Sequence, residues 1–448
     1  MLESITIKKL FGLFDYHIKF DTVENITILT GPNGYGKTTI LNVIYHFFNQ
    51  QFFYFQKLNF ELIIFDFTGA KRIEVTKKEN KKSKDKLFFW ENSEEIEIID
   101  ININLFENDK KKTSFVYDKE QRRQIARELR DFLPIKKIAA EDLWYRIEES
   151  FVFDKILNDN KRQLPDKVLS IIKKQITEKN NPVINFLNNS NVYLIKEQRL
   201  LRRVFGKNKE ENTFLNTIEL YAEELKKLIE EKQLEAYQIT QKLDSTFPKR
   251  LIEATTVIDK TTFKDRFTKL KEKQSKLQQF GIAVNAQEVT DYNAESAKVL
   301  SVYLNDSEEK LKIYDDLLDK IELFVNIINQ KDFAFKSIKI SSNKGFSFYQ
   351  NKQQQELSLT DLSSGEQQEV VLLYELLFKT TPNALILIDE PEISLHVLWQ
   401  KAFINDLKKI ADIKKISFLV STHSPQIIDN YWGLTRDLYD LSKTDENE

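Results

Sequence analysis

The chain has 448 residues, 41% hydrophobic and 30% charged, with a formal net charge of −2. That leaves room for one large domain or two to three smaller ones with a sizeable core, and it excludes a global electrostatic pull toward nucleic acid or membrane. Cysteine is absent and there are only four histidines, which excludes a disulfide framework and thiol-bound metal and leaves little scope for zinc.

In chain order, the opening Met-Leu-Glu-Ser-Ile-Thr-Ile alternates apolar and polar, as a half-buried strand does and a leader peptide does not. Strands are predicted over 4–8, 16–20 and 26–30. The last runs straight into Gly31-Pro-Asn-Gly-Tyr-Gly-Lys-Thr38. A helix is predicted over 39–49, with Ile40, Leu41, Ile44, Phe47 and Phe48 on one broad face. Residues 58–117 read mostly as β, with candidates at 62–67, 72–77 and 96–105. The lysine-rich 77–86 stretch between them reads as a solvated hairpin tip, with a nucleic-acid contact as the sharper alternative.

Residues 119–190 look helical and end at Asn180-Asn-Pro182. A short buried strand over 192–195 leads into Lys196-Glu-Gln-Arg199. Leu215, Ile218, Ala222, Leu225, Ile229, Lys232, Ala236, Ile239 and Leu243 then keep a 3-4 spacing, a heptad seam broken only by Lys232. Phe247-Pro248 is expected to stop that helix. The spacing returns at Leu300, Leu304, Ser307, Leu311, Tyr314, Leu318, Ile321, Val325 and Ile328. Two such helices, each about 45 Å long at 1.5 Å per residue, fit an antiparallel arm or an ordinary helical bundle.

The β pattern resumes at Phe333, Phe335, Ile338 and Ile340, then Phe346, Phe348 and Tyr349. Leu362-Ser-Ser-Gly-Glu-Gln-Gln368 follows, then a helix to about Phe378, a buried strand over 384–389, another helix, and a strand over 416–420 ending in Ser421-Thr-His-Ser-Pro425. Strands alternating with helices imply an α/β sheet, largely parallel in this C-terminal part. No apolar run approaches the ~20 residues needed to span a bilayer, so a soluble cytoplasmic protein is expected.

Gly31-x-x-x-x-Gly36-Lys37-Thr38 fits a P-loop, in the strand-then-helix context that such a loop requires. Its backbone N–H groups, from Asn33, Gly34, Tyr35 and Gly36 to Thr39, would cradle phosphates at a helix N-terminus. Lys37 would reach the β- and γ-phosphates, and the Thr38 hydroxyl would ligate Mg2+. An ordinary glycine turn would not need the Lys-Thr pair. Leu385-Ile-Leu-Ile-Asp389-Glu390 delivers two acids to a strand's C-terminal edge. Asp389 fits the Mg2+-side carboxylate and Glu390 the group that orients the attacking water. A strand ending in a solvated acidic turn is the plainer alternative.

Ser363, Ser364 and Gly365 open a helix, where a hydroxyl and glycine backbone can hold a γ-phosphate. Ser363 or Ser364 with Glu366 is also a good helix cap, and both can hold. This Leu-Ser-Ser-Gly-Glu stretch resembles the ABC signature in the form used by the SMC, Rad50 and RecF branch. The resemblance implies that it faces the P-loop of a second subunit. His423 resembles the ABC switch histidine at the γ-phosphate. Gln198 resembles the Q-loop glutamine that senses Mg2+ and the attacking water, although a plain surface glutamine fits as well. Residues 391–396 occupy the D-loop position but depart from the commoner Ser-Ala-Leu-Asp form.

The motif order resembles an SMC/Rad50-like head with its arm inserted between lobes: 1–207 as N-terminal lobe, 208–331 as arm, 332–448 as C-terminal lobe. The wording of Tyr-Leu-Ile-Lys-Glu-Gln-Arg-Leu, Leu-Ser-Ser-Gly-Glu-Gln-Gln and Ser-Thr-His-Ser-Pro-Gln-Ile-Ile is similar to stand-alone ATPases of bacterial anti-phage systems. These include the PARIS (AriA) and Septu (PtuA) ATPases, relatives of the ATPase half of the OLD nucleases. The resemblance implies ATP and Mg2+ as cofactors and a homodimer or larger homo-oligomer closed on nucleotide. No acidic Toprim cluster follows His423, so a separate nuclease or toxin effector, of Toprim or HNH type, is expected. The alternative is a RecF- or Rad50-like head that clamps DNA, for which Arg199, Arg202 and Arg203 could supply contacts or form a solvated loop. A transporter ATPase fits poorly, because the inserted heptads do not resemble a transporter's short helical subdomain.

Overall fold

The computed structural model describes residues 1–78, 99–118, 181–195, 201–205, 212–255, 257–282, 292–331, 333, 335–353, 355–393 and 395–443, with backbone alone at 201–205, 212–215 and 294. The rest of the lysine-rich stretch beyond residue 78, the helical reading of 119–180, and Gln198 with Arg199 lie outside these residues. Two compact units divide the chain, 1–198 with 380–448, and 199–379. The fold is α/β.

The first unit holds two sheets. One is antiparallel, in the order β2-β1-β4-β5-β6-β7. Its strands are β1 (Leu2–Leu10), β2 (Phe14–Lys19), β4 (Leu62–Phe67), β5 (Lys71–Lys78), β6 (Asp100–Glu107) and β7 (Lys110–Tyr117). The alternation seen in the sequence sets its faces: Ile5, Ile7, Ile63, Phe65, Ile73 and Val75 are buried on one side. β7 has no counterpart among the candidate strands, because its lysine-rich start, Lys110 to Lys112, hides the inward pair Phe115 and Tyr117.

The other sheet is parallel, in the order β16-β3-β15-β14-β8. It comprises β3 (Ile26–Thr30), β8 (Val192–Ile195), β14 (Leu385–Asp389), β15 (Ser417–Ser421) and β16 (Thr435–Asp437). Ile386 to Ile388 and Phe418 to Val420 are buried throughout, as strands covered on both faces must be. Helix α1 (Lys37–Phe48) joins the core of the unit, and its Phe47 stacks on Phe65 at 4.2 Å. Short helices α2 (Tyr54–Lys57) and α3 (Pro182–Asn188) complete the described N-terminal part.

The second unit contains a hairpin, β9 (Leu201–Phe205) with β10 (Asn212–Asn216), and a three-stranded sheet of β11 (Lys336–Ser341), β12 (Gly345–Gln350) and β13 (Gln355–Leu357). Its long helices are α4 (Thr217–Glu253), α5 (Lys260–Gln279), α6 (Ala297–Lys312) and α7 (Asp315–Gln330). Ion pairs give their directions. Asp244 meets Lys310 and Arg250 meets Asp306, so α4 and α6 run antiparallel. Arg266 meets Glu308, Lys273 meets Asp315 and Lys276 meets Glu322, so α5 runs parallel to α6 and α7.

Four expectations are corrected in this unit. Leu215 lies in β10, so the first seam begins at Ile218. Pro248 does not stop α4, which runs through it to Glu253, about 55 Å at 1.5 Å per residue. Proline withdraws one N–H from the helix ladder. The carbonyl left without its donor is that of Asp244, and the helix is held through this turn by tertiary pairing: Asp244 meets Lys310, and Arg250 donates to the Leu243 carbonyl while pairing with the buried Asp306. Local propensity is overridden by that tertiary anchor. Finally, β11 starts at Lys336, and Phe335 sits before it with a left-handed φ of 66°. The second seam also divides at Ile313–Tyr314, between α6 and α7.

Gly345 tests the packing of β12 on α4. Its φ is +69°, and a Cβ would lie 1.9 Å from the carbonyl oxygen of Ala222. Gly345→Ala is expected to destabilise the protein by about 3 kcal/mol, since neither backbone can yield. Gly433→Ala, where nothing lies within 4 Å, is expected to change it by under about 1 kcal/mol. Superimposable melting curves for the two variants would contradict this packing.

Candidate functional site

The site grows from the C-terminal edge of the parallel sheet, where open α/β folds place ligands. After β3 the chain turns through Gly31, Gly34 and Gly36, at φ of 133°, 87° and 88°. Two of these glycines are also needed for space. A Cβ on Gly31 would press on Leu438 at 3.2 Å, and one on Gly36 on Leu10 at 3.1 Å. Tyr35 packs on Phe14 with ring centroids 5.1 Å apart, and its carbonyl accepts from the Tyr16 hydroxyl at 2.9 Å. Asn33 and Gly34 form the exposed crest of the loop.

Helix α1 begins with no side-chain cap on its first N–H groups. With the helix dipole, that open end and Thr39 in its first turn suit an anion. Lys37 is buried, and its Nζ donates to the carbonyls of Gly31 at 2.8 Å and Pro32 at 3.2 Å. Burial pushes its ammonium below the ordinary lysine value, while Glu390, Asp389, Glu392 and Asp437 act in the opposite direction. Asp437, at the end of β16, accepts from the Thr30 hydroxyl at 2.8 Å.

Parallel pairing places Asp389 of β14 opposite Ser421 of β15. Asp389 Oδ1 accepts from Thr38 Oγ1 at 3.1 Å and from the Ser421 hydroxyl. Glu390 leaves the strand with a φ of 43°, a strained value for a residue with a Cβ, and its N–H donates to the Ser421 carbonyl at 3.0 Å. Its Oε1 lies 3.6 Å from His423 Nε2. The structure therefore brings together Lys37, Thr38 and Asp389, and beside them Glu390 and His423. The hydroxyl and carboxylate oxygens of Thr38 and Asp389 are the hard donors that suit Mg2+.

Ser363, Ser364 and Gly365 belong to the second unit, at the start of α8 (Ser364–Tyr374). The cap reading is realised there. Ser363 Oγ accepts from the Glu366 N–H at 3.3 Å, and Glu366 Oε2 accepts from the Ser363 N–H at 2.7 Å. Lys336 Nζ clamps the same carboxylate at 2.8 Å. Both serines stay exposed at the helix start.

Sequence reasoning missed Ser421, Glu392, Gln400 and Asp437. Ser421 and Glu392 had a signal, lying within quoted motifs two positions from His423 and Glu390. Gln400 and Asp437 had none, because only the fold brings them to the site.

A P-loop with a lysine, a hydroxyl and a strand-end carboxylate within hydrogen-bond reach defines a nucleotide-hydrolysing α/β head. The chain belongs to the AAA ATPase domain family, whose pattern matches residues 1–428, and it is an ATPase. A probable ATPase of retron Ec83 from Escherichia coli is 29% identical over 156 residues, spanning 30% of this chain and 27% of that protein. Solved SMC heads align at low scores. One is the Pyrococcus furiosus head with an extended coiled coil bound to the C-terminal domain of ScpA, at 13% identity and a TM-score of 0.33 over 96% of this chain and 91% of that one. Another is the Thermotoga maritima head, at 11% identity and 0.30 over 96% and 91%. Among the described residues, no helix is long and apolar enough to cross a membrane.

Ser421→Ala removes one of the two hydroxyls that aim Asp389. A hydrogen bond to a charged group is worth about 1.5–3 kcal/mol, so the Mg2+ concentration for half-maximal ATP hydrolysis should rise about tenfold or more. A magnesium titration of steady-state turnover checks this.

Proposed function

We propose that this ATPase works as an ABC-type head whose nucleotide sites are completed by pairing with a second copy. The observation that carries the reading is the meeting of Thr38 and Asp389, 3.1 Å apart, with Glu390 and His423 alongside. In this reading Lys37 and the N–H groups from Asn33 to Thr39 hold the phosphates of ATP. Thr38 and Asp389 hold Mg2+, which would neutralise charge on the β- and γ-phosphates. Glu390 orients the attacking water and takes its proton, His423 donates toward the γ-phosphate, and Gln198 is assigned to the same water and metal ion. Ser363, Ser364 and Gly365 of one copy meet the γ-phosphate held by the other. Their exposure at a helix N-terminus supports this.

The cellular role we propose is that of the sensor or scaffold subunit of an anti-phage complex, in which ATP controls a separate nuclease or toxin. The motif wording shared with PARIS and Septu ATPases, and the stretch shared with a retron ATPase, support it. The lobes at 1–207 and 332–448 and the arm at 208–331 are the corresponding parts. Purification from the native host with identification of the bound protein tests the role, and recovery of no nuclease or toxin would count against it.

Two measurements test the chemistry. Glu390→Gln should bind ATP yet turn over roughly 100-fold more slowly and accumulate closed pairs on a sizing column. Near-normal turnover would remove Glu390 from its role. Mixing Lys37→Ala with Ser363→Arg chains should restore hydrolysis above either parent, because one of two composite sites keeps both partners intact. Mixtures no better than the parents would refute pairing.

A further inference from the structure

The His423 ring is held by few contacts of its own. Among the described residues its Nε2 lies 3.6 Å from Glu390, and no hydrogen bond fixes the ring. Its direction must be set through its backbone. That backbone is anchored from the turn after the catalytic acids. Glu392, in the 3-10 turn Pro391–Ile393, accepts the His423 N–H on Oε1 at 2.7 Å. Its other carboxylate oxygen is buried without a hydrogen-bond partner among the described residues. The bond is therefore single and charge-assisted, and it is made at the exposed rim while the second carboxylate oxygen is tucked inside.

A second tether runs beside it. Gln400, buried on α9 (Val397–Lys414), donates to the carbonyls of Glu392 at 3.3 Å and Leu395 at 3.1 Å. Its Oε1 accepts from the Ser424 hydroxyl at 2.8 Å. The turn that follows Glu390 and the loop that carries His423 are thus joined twice, on either side of the histidine. Glu390, in its strained conformation, and His423 are held in one frame.

We propose that Glu392 is a positioning residue for His423, with its carboxylate acting as the acceptor that aims the switch histidine at the reacting phosphate, and with Gln400 holding Glu392 in place. The proposal rests on the reading of His423 given above. Glu392 touches neither nucleotide nor metal in it, and acts through the backbone of residue 423.

The test is a double-mutant cycle on the full chain, read as steady-state hydrolysis of MgATP. Glu392→Ala should lower kcat roughly tenfold, the equivalent of one charge-assisted hydrogen bond, with KM changed less than about twofold. Glu392→Gln keeps an acceptor oxygen and should stay within about threefold of the parent chain. In a His423→Ala background, Glu392→Ala should cause no further loss, because residues acting as one unit are not additive. A full additional loss there would overturn the proposal, as would equal damage by Gln and Ala. If Glu392→Ala does not fold, Glu392→Asp, which keeps the charge but is too short to reach, carries the same comparison. Failure of the underlying reading looks different: Lys37→Ala or His423→Ala would then retain normal turnover whatever stands at 392.

Discussion

The site depends on a single carboxylate oxygen that accepts from two hydroxyls. Asp389 closes β14, Thr38 opens α1 after β3, and Ser421 closes β15; Thr38 is 351 residues from Asp389 and Ser421 is 32 from it, and all three meet because β3, β15 and β14 lie side by side in parallel. In such a sheet every strand ends at the same edge, so register alone sets which side chains meet. A slip of one residue in β14 against β15 would turn Asp389 into the core and bring an isoleucine to the edge. The fully buried strands Ile386–Ile388 and Phe418–Val420 make that slip costly, and so the hydrophobic core fixes the geometry of the acid.

Around that oxygen the backbone accepts strain that only the tertiary frame can hold. Gly31 and Gly36 take left-handed turns against Leu438 and Leu10, where a Cβ would sit in tight contact at 3.2 and 3.1 Å. Glu390 takes a left-handed turn although it has a Cβ, tied by its N–H to the Ser421 carbonyl. Such strain is found where a structure over-determines a conformation for function. Lys37 shows the electrostatic side of the same frame: burial disfavours its charge, and the surrounding acids restore part of what burial removes.

The second unit is organised by a different balance. Its helices are long, and their charges are placed so that α4 pairs antiparallel with α6 while α5 pairs parallel with it. Most of these pairs are exposed and contribute little to stability individually. The Lys331–Glu369 pair is buried and Lys336 reaches the buried Glu366 from a half-buried position, and they hold α8 and the capped Ser363 at its start. Loss of one partner in such a pair leaves an uncompensated charge in the interior, which ties the start of α8 firmly to its surroundings.

Sequence by itself determined the elements that carry their own signal. The alternation of Leu62–Phe67, the Gly31–Thr38 loop and the apolar run before Asp389 each encode a local structure with few alternatives, and each was found at or near its expected bounds. What only the tertiary structure decided is what depends on distant partners. Pro248 continues a helix because Arg250 reaches Asp306, Leu215 becomes strand because β9 pairs with β10, and Ser421 and Gln400 enter the site because parallel strands bring remote loops to one edge. The physical reason is the same in each case: periodicity is a property of neighbours in the chain, whereas hydrogen-bond and ion-pair partners are chosen in space.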